Sequence, residues 1–166
     1  DFRRRTAFSQ DQLRVVTGDG RLDLQGVGFT WWQTNNNLII SNDVRTLVRK
    51  RTSASQTGLD AETLQVASDR FEFAYASNLI SYSDNVRLSD GRFDMSCATL
   101  KIRRSASNTL EQVVASGNVT VSNRLDHSLT TAEHATYILR DDQESLELTG
   151  QPLWTDGTRR GQAERF

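Results

Sequence analysis

Apolar and polar residues alternate over short segments of this chain, and turn residues separate these segments. The alternation is strict over residues 71–75 and clear over residues 21–24. A period of two residues is typical of a β-strand that buries one face. The Asp-Gly pairs that begin at Asp19, Asp90 and Asp156 are typical of tight turns between strands. Because no long amphipathic helix pattern interrupts this order, the sequence predicts an all-β fold.

One short pattern recurs along the chain. Residues 113–121 read as a strand, a step of small residues and a second strand, and weaker copies occur at residues 13–20, 64–69 and 146–153. Copies spaced by a few tens of residues are typical of stacked supersecondary units that share one core. Residues 129–139 fit either a helix or a strand, and their Thr and Tyr content favours a strand.

Small or polar residues interrupt several of the predicted strands. Asn precedes or lies close to Val at Val44, Val86 and Val119, and Asn and Asp tolerate left-handed backbone at a bend. The pattern therefore predicts a kink between two strand segments at each of these places. The apolar parity also shifts around Gly26 and near Ala98, which predicts a bulge at both positions.

Composition excludes several classes of function. Apolar residues make up 36% of the chain and the mean hydropathy is −0.56, which suits a sheet with one wet face. The net charge of −1 gives no overall field that would attract nucleic acid. A single cysteine, Cys97, excludes an internal disulfide and a Cys-based zinc site. His127 and His134 lack a metal-ligand spacing, and the carboxylates of Asp60 and Glu62 lack a catalytic partner, so we expect no catalytic residues, metal or cofactor.

The predicted domain organisation has two parts. Residues 1–12 include Arg3-Arg4-Arg5 and show little periodicity, so we expect a loose N-terminal arm. Residues 13–166 are expected to form a single repeat-built domain, for which the strand pattern leaves a sandwich, a barrel or a roll open. The abrupt start suggests that a leader or an anchor segment has been removed.

The C-terminal half resembles a known family. Residues 115–121, 129–137 and 146–152 together resemble one unit of the organic-solvent-tolerance-protein-A-like family of periplasmic lipopolysaccharide-transport proteins, whose pattern is roughly G-N-V-x-V, then A-x-x-A, then L-x-G-x-P. Residues 84–102 are similar to a preceding unit. The resemblance is good from residue 79 to the end and looser before it.

The resemblance implies an elongated antiparallel β-roll of stacked repeats, also described as a β-taco or jelly-roll-like fold, that is open along one seam. It implies a non-enzymatic role in the periplasm, with acyl chains of lipopolysaccharide or a related amphiphile against the inward apolar face. It also implies other β-roll transport subunits as partners through edge-to-edge strand addition, and leaves open an inner-membrane ABC transporter and an N-terminal membrane anchor. Two alternatives are a structural β-repeat module without lipid cargo and a β-roll that acts on or binds polysaccharide.

Two sets of residues are candidates for the site. An acyl-chain groove needs inward apolar side chains, although each of these could equally be ordinary core: Phe29, Leu38, Ile40, Phe71, Phe73, Val86, Leu88, Phe93, Met95, Leu100, Val119, Val121 and Leu129. Basic residues at equivalent repeat positions could form a rim that meets lipid phosphates, or could simply be solvated: Arg49, Lys50, Arg51, Lys101, Arg103 and Arg104. Adjacent Trp31 and Trp32 would point to opposite faces of a strand, which favours exposure of one indole.

Overall fold

The computed structural model describes residues 5–49, 63–105, 110–140 and 143–165. Its strands join one antiparallel sheet, and the order along the sheet follows the chain closely. This confirms the predicted all-β fold and its elongated antiparallel roll. The strands are β1 (Thr6–Val16), β2 (Leu22–Trp32), β3 (Asn37–Arg49), β4 (Thr63–Ser68), β5 (Arg70–Ala74), β6 (Leu79–Ser89), β7 (Phe93–Arg104), β8 (Leu110–Asn123), β9 (Leu129–Arg140), β10 (Gln143–Thr149), β11 (Leu153–Thr155) and β12 (Arg160–Gln162).

The long strands bend near their middles, where the pairing register shifts. Shifts occur between β1 and β2, β2 and β3, β6 and β7, β7 and β8, and β8 and β9. Left-handed residues lie at several of these bends, and three of them directly precede a fully buried side chain: Asp43 before Val44, Asn85 before Val86, and Asn118 before Val119. Gln151, before the buried Pro152, has the same arrangement between β10 and β11. The predicted kinks are therefore confirmed, as is the bulge near Ala98.

The bends divide the sheet into two leaves. We use "first leaf" for the strand segments 12–16, 22–25, 44–49, 63–68, 86–89, 93–97, 119–123, 129–132 and 153–155, and "second leaf" for the segments on the other side of the bends. The hydroxyl of Tyr82 in the second leaf donates a hydrogen bond to the hydroxyl of Thr46 in the first leaf, at 3.0 Å. Both side chains are buried. The sheet therefore folds back on itself, and the two leaves enclose a shared interior.

The structure bears on two of the expectations, the loose N-terminal arm and the choice between helix and strand for residues 129–139. β1 begins at Thr6 and pairs with β2, so the expectation of a loose arm is wrong for residues 6–12. Residues 129–139 form strand β9, as their composition favoured. In the described part of the chain, no helix has the length and apolarity needed to cross a membrane.

Candidate functional site

The second leaf presents two rows of side chains to the interior. Antiparallel pairing places partners on the same face of the sheet, so the register identifies each row directly. The row next to the bends is deeply buried, and Ile40 and Leu100 in it have no exposed surface. The row farther from the bends is only half-buried. The inner row contains Phe29, Ile40, Phe71, Tyr82, Leu100, Ala115 and Ala135, and the outer row contains Leu38, Phe73, Ile80, Ile102 and Val113.

The first leaf faces the second with a matching apolar surface. Val44, Val86 and Val119 follow the kinks and are almost fully buried. The next row crosses the leaf from strand to strand and is interrupted by the hydroxyl of Thr46. This row contains Leu24, Thr46, Val66, Leu88, Met95 and Val121. Residues from both leaves form one continuous apolar cluster, which is buried along the bends and partly exposed away from them.

Most of the predicted groove residues belong to this cluster. The members are Phe29, Leu38, Ile40, Phe71, Phe73, Val86, Leu88, Phe93, Met95, Leu100, Val119 and Val121. Leu129 does not: it pairs with Ser122 on the opposite face and is 39% exposed. The expectation that Leu129 points inward is therefore wrong, because the register of β8 and β9 gives the inward position to Thr130.

The sequence reasoning also missed members of the cluster. Leu24, Val66, Ile80 and Ile102 lie in the interior rows and were not selected. Ile102 has the same strand parity as Leu100, and Ile80 has the same parity as Leu88, so period-two counting could have found these two. Leu24 differs in parity from Phe29 because the register of β2 shifts at Gly26, and no residue of β4 had been selected from which Val66 could be counted. Tyr82 was missed because a buried hydroxyl needs a hydrogen-bond partner, and the sequence alone does not reveal that Thr46 is this partner.

The predicted basic residues do not assemble into one rim in the described part of the chain. Arg49 is exposed and donates from Nη1 to the carbonyl of Gly20 at 2.6 Å. Lys101 and Arg103 are exposed on the outer face of β7. Lys50 and Arg51 lie outside the described residues.

Arg104 differs from the other basic residues. It has the same parity as Leu100 and Ile102, so it points to the interior at the end of β7. Its guanidinium carbon lies 5.6 Å from the centre of the Phe73 ring. Its Nε is buried and has no hydrogen-bond partner among the residues that the structure describes. A cation with an unused donor therefore lies at the margin of the apolar interior.

The two tryptophans meet different surroundings. Trp31 pairs with Leu38 in the outer row of the second leaf, and it is 38% exposed because only the edge strand β1 lies beyond it. Trp32 is half-buried. One indole is thus exposed, as the pattern indicated, and it lies on the inward face near one end of the roll.

The cysteine and the two histidines occupy different surroundings. Burial raises the pKa of the Cys97 thiol to about 11, which disfavours the reactive thiolate. His127 lies in a turn and His134 is exposed on β9. Within the described ranges, no group of three or more His, Cys, Asp or Glu side chains could hold a metal ion.

Comparison with known proteins identifies the family. Residues 65–166 match the family described as LptA/(LptD N-terminal domain) LPS transport protein. No curated protein gives a significant match to the chain. The matched segment runs from β4 to the end of the chain and includes the kinks at Asn85, Asn118 and Gln151. The chain therefore belongs to the LptA/LptD N-terminal domain family of lipopolysaccharide transport proteins.

Proposed function

We propose that this chain carries the acyl chains of lipopolysaccharide in the interior between its two leaves, as a non-catalytic component of a periplasmic bridge. The observation that carries the proposal is the graded burial of the apolar cluster. The rows beside the bends are dry core, whereas Phe73, Ile80, Ile102 and Met95 keep part of their apolar surface accessible. A protein with no apolar ligand gains nothing from such a surface, since exposed apolar area is unfavourable in water.

The energetics suit passive transport. Each buried CH₂ group of an acyl chain contributes about 0.8 kcal/mol, and this contribution does not depend on orientation. A chain can therefore slide along the rows without crossing high barriers, because each step exchanges one apolar contact for another. Met95 suits such a surface since its thioether side chain adapts to irregular shapes. The energy that drives net movement comes from outside this domain.

Arg104 supports the assignment of amphiphile rather than simple hydrocarbon. Its guanidinium lies over Phe73 at the margin of the interior, and its Nε has no hydrogen-bond partner within the described ranges. Arginine binds phosphate through charge-assisted hydrogen bonds that are stronger than neutral ones. We infer that Arg104 contacts a lipid phosphate while the acyl chains lie against the outer row.

The sheet also has edges that suit a bridge. In the described chain, β1 pairs only with β2, and β10 pairs with β9 and, through one isolated bridge at Thr149, with Arg165. Unpaired strand edges accept a further strand through backbone hydrogen bonds. Rolls that join in this way would continue the apolar interior from one subunit to the next.

Site-specific photo-crosslinking tests the lipid assignment. A photoreactive phenylalanine analogue at Phe73, Phe93 or Val121 should give lipopolysaccharide adducts, because these positions face the interior. The same analogue at Leu129 or Val114 is the matched control on the outer face of the sheet. Adducts from the controls only would overturn the interior site. Adducts from no position would favour the structural module without lipid cargo.

A further inference from the structure

A furrow of about 820 Å³ that contains two arginines crosses the outer face of the first leaf. It runs across β2, β3, β4, β6, β7 and β8, on the side of the sheet opposite to the apolar interior. Its floor includes the row Gln25, Arg45, Ala67, Arg87, Ser96 and Thr120, which the strand register aligns from one strand to the next. The furrow is thus a second concave surface with its own chemistry.

Two arginines are placed to converge in this furrow. Arg45 on β3 and Arg87 on β6 both pair with Ala67 on β4, so they lie on either side of a residue with a minimal side chain. Neighbouring strands are about 4.8 Å apart, which puts the two arginine Cα atoms roughly 10 Å from each other. Side chains of this length can reach one anion above Ala67. Both arginines are exposed.

Neither arginine is neutralised by a described residue. No side-chain hydrogen bond or ion pair of Arg45 or Arg87 occurs within the described ranges. The acids that line the furrow have other partners. Asp23 accepts two hydrogen bonds from Arg14, at 3.0 and 2.7 Å, and Asp94 accepts two from Arg124, at 2.7 and 2.6 Å.

Both carboxylate oxygens of Asp23 and of Asp94 accept a hydrogen bond from the paired arginine. The hydrogen bonds from Arg14 and then Gln25 lower the pKa of Asp23, and those from Arg124 and then Ser89 lower the pKa of Asp94. Both groups therefore stay ionised and remain satisfied by their bidentate partners. The centre of the furrow keeps two uncompensated positive charges.

The other lining residues include neutral hydrogen-bonding side chains as well as apolar ones such as Leu47. Gln65, Ser96, Thr120 and Ser122 present amide and hydroxyl groups to the furrow. Among described residues, these four side chains have no hydrogen-bond partner that would occupy them. Amides and hydroxyls both donate and accept, which matches the hydroxyl groups of a sugar. Binding sites for peptides are enriched in aromatic residues, and the lining of this furrow contains none.

We propose that this furrow binds the phosphorylated saccharide part of lipopolysaccharide, with Arg45 and Arg87 on a phosphate group and the neutral side chains on sugar hydroxyls. The proposal rests on the proposed function for the identity of the cargo, but it concerns the opposite face of the sheet. The roll then contacts its cargo twice: acyl chains inside and saccharide outside. Such a second contact would hold the bulky sugar against the protein while the lipid moves along the interior.

Calorimetric titration with fully deacylated, phosphorylated lipopolysaccharide tests this site without the acyl chains. The double variant Arg45→Gln/Arg87→Gln should lower the affinity at least about tenfold, because each lost charge-assisted contact is worth more than a neutral one. The control Arg21→Gln/Arg160→Gln removes the same charge from exposed positions outside the furrow and should leave the affinity within about twofold. Equal losses in the two double variants would overturn the proposal, since they would indicate a response to net charge alone.

Titrations with other ligands distinguish recognition of the phosphate from recognition of the sugar. Inorganic phosphate and a neutral glucan oligosaccharide should each bind much more weakly than the phosphorylated saccharide. Phosphate that binds as tightly would show that sugar is not recognised, which contradicts the proposal. Ala67→Glu places a carboxylate between the two arginines and should abolish binding, whereas Arg45→Lys/Arg87→Lys should retain part of it. Circular dichroism of each variant checks folding. Crosslinking from Phe73 in Arg45→Gln/Arg87→Gln should be unchanged, so failure of the furrow site and failure of the interior site are distinguishable.

Discussion

A buried hydrogen bond between Tyr82 and Thr46 joins the two leaves at the scale of single residues. Tyr82→Phe should destabilise the fold by about 1 kcal/mol, because the Thr46 hydroxyl stays buried without its donor. Thr46→Val should also destabilise, while the double variant should cost less than the two single changes added together. Urea unfolding of the four proteins measures this coupling. Additive effects would show that the leaves do not depend on this bond.

The same tyrosine gives a pH dependence with a defined sign. Burial raises the pKa of Tyr82 to about 12, and the hydrogen bond to Thr46 opposes this only in part. The unfolded chain therefore loses the phenolic proton first as pH rises, so this contribution is complete below pH 10 and is lost between pH 10 and 12. The unfolding free energy of the wild type should fall more steeply over this window than that of Tyr82→Phe, and parallel curves would contradict the assignment.

At the scale of elements, the kinks depend on residues that tolerate left-handed backbone. Gly117 has φ of +81°, and a Cβ there would lie 2.7 Å from the Cβ of Ala98 on β7. Gly117→Ala should therefore destabilise by about 2 kcal/mol or more, through backbone strain together with overpacking. Gly91→Ala is the control, since nothing lies within 4 Å of a Cβ at that turn. Urea unfolding should show little change for the control. Equal stability of both variants would show that the kink in β8 does not require glycine at position 117.

Whether a strand could be predicted from the sequence depended on which of its side chains are buried. Period-two alternation identified β5 and the start of β2, because the alternate apolar residues of each segment, such as Phe71 and Phe73, share the inward face. Asparagine before valine identified the kinks, because the left-handed region admits few other residues. The first half of β1 was not predicted as a strand. Its inward residues are Ala7 and Ser9, which are small or polar, so the alternation of apolar and polar residues is weak there.

The candidate site was predictable only where parity could be counted without interruption. Leu38, Phe71 and Leu100 lie inside their segments, and their inward direction follows from alternation. Leu129 begins its strand directly after a turn, so its face is set by pairing with Ser122 rather than by its own pattern. The furrow was not predictable, because Arg45 and Arg87 are distant in sequence and meet only through their shared partner Ala67.

At the scale of the whole molecule, the free edge of β1 determines how rolls could join. The amide of Gln33 donates to the carbonyl of Arg5 at 2.8 Å, and Ala7 pairs with Trp31 in the same register. Because hydrogen-bonded pairs alternate along an antiparallel ladder, the N–H of Phe8 points to the open edge. Its side chain is also 72% exposed. Phe8 is therefore a position where the backbone donor can be removed without loss of a bond to β2.

Phe8→Pro should weaken end-to-end association of the rolls while leaving the fold intact, because proline is tolerated at an edge strand whose N–H faces solvent. Phe8→Ala is the matched control, since it removes the aromatic ring but keeps the N–H. Sedimentation velocity over a wide range of protein concentration should show larger species for the wild type and Phe8→Ala, and only the monomer for Phe8→Pro. Loss of association in both variants would indicate a contact made by the ring. Retention in both would show that the rolls do not join through the edge of β1, because strand addition there requires the donor that proline lacks.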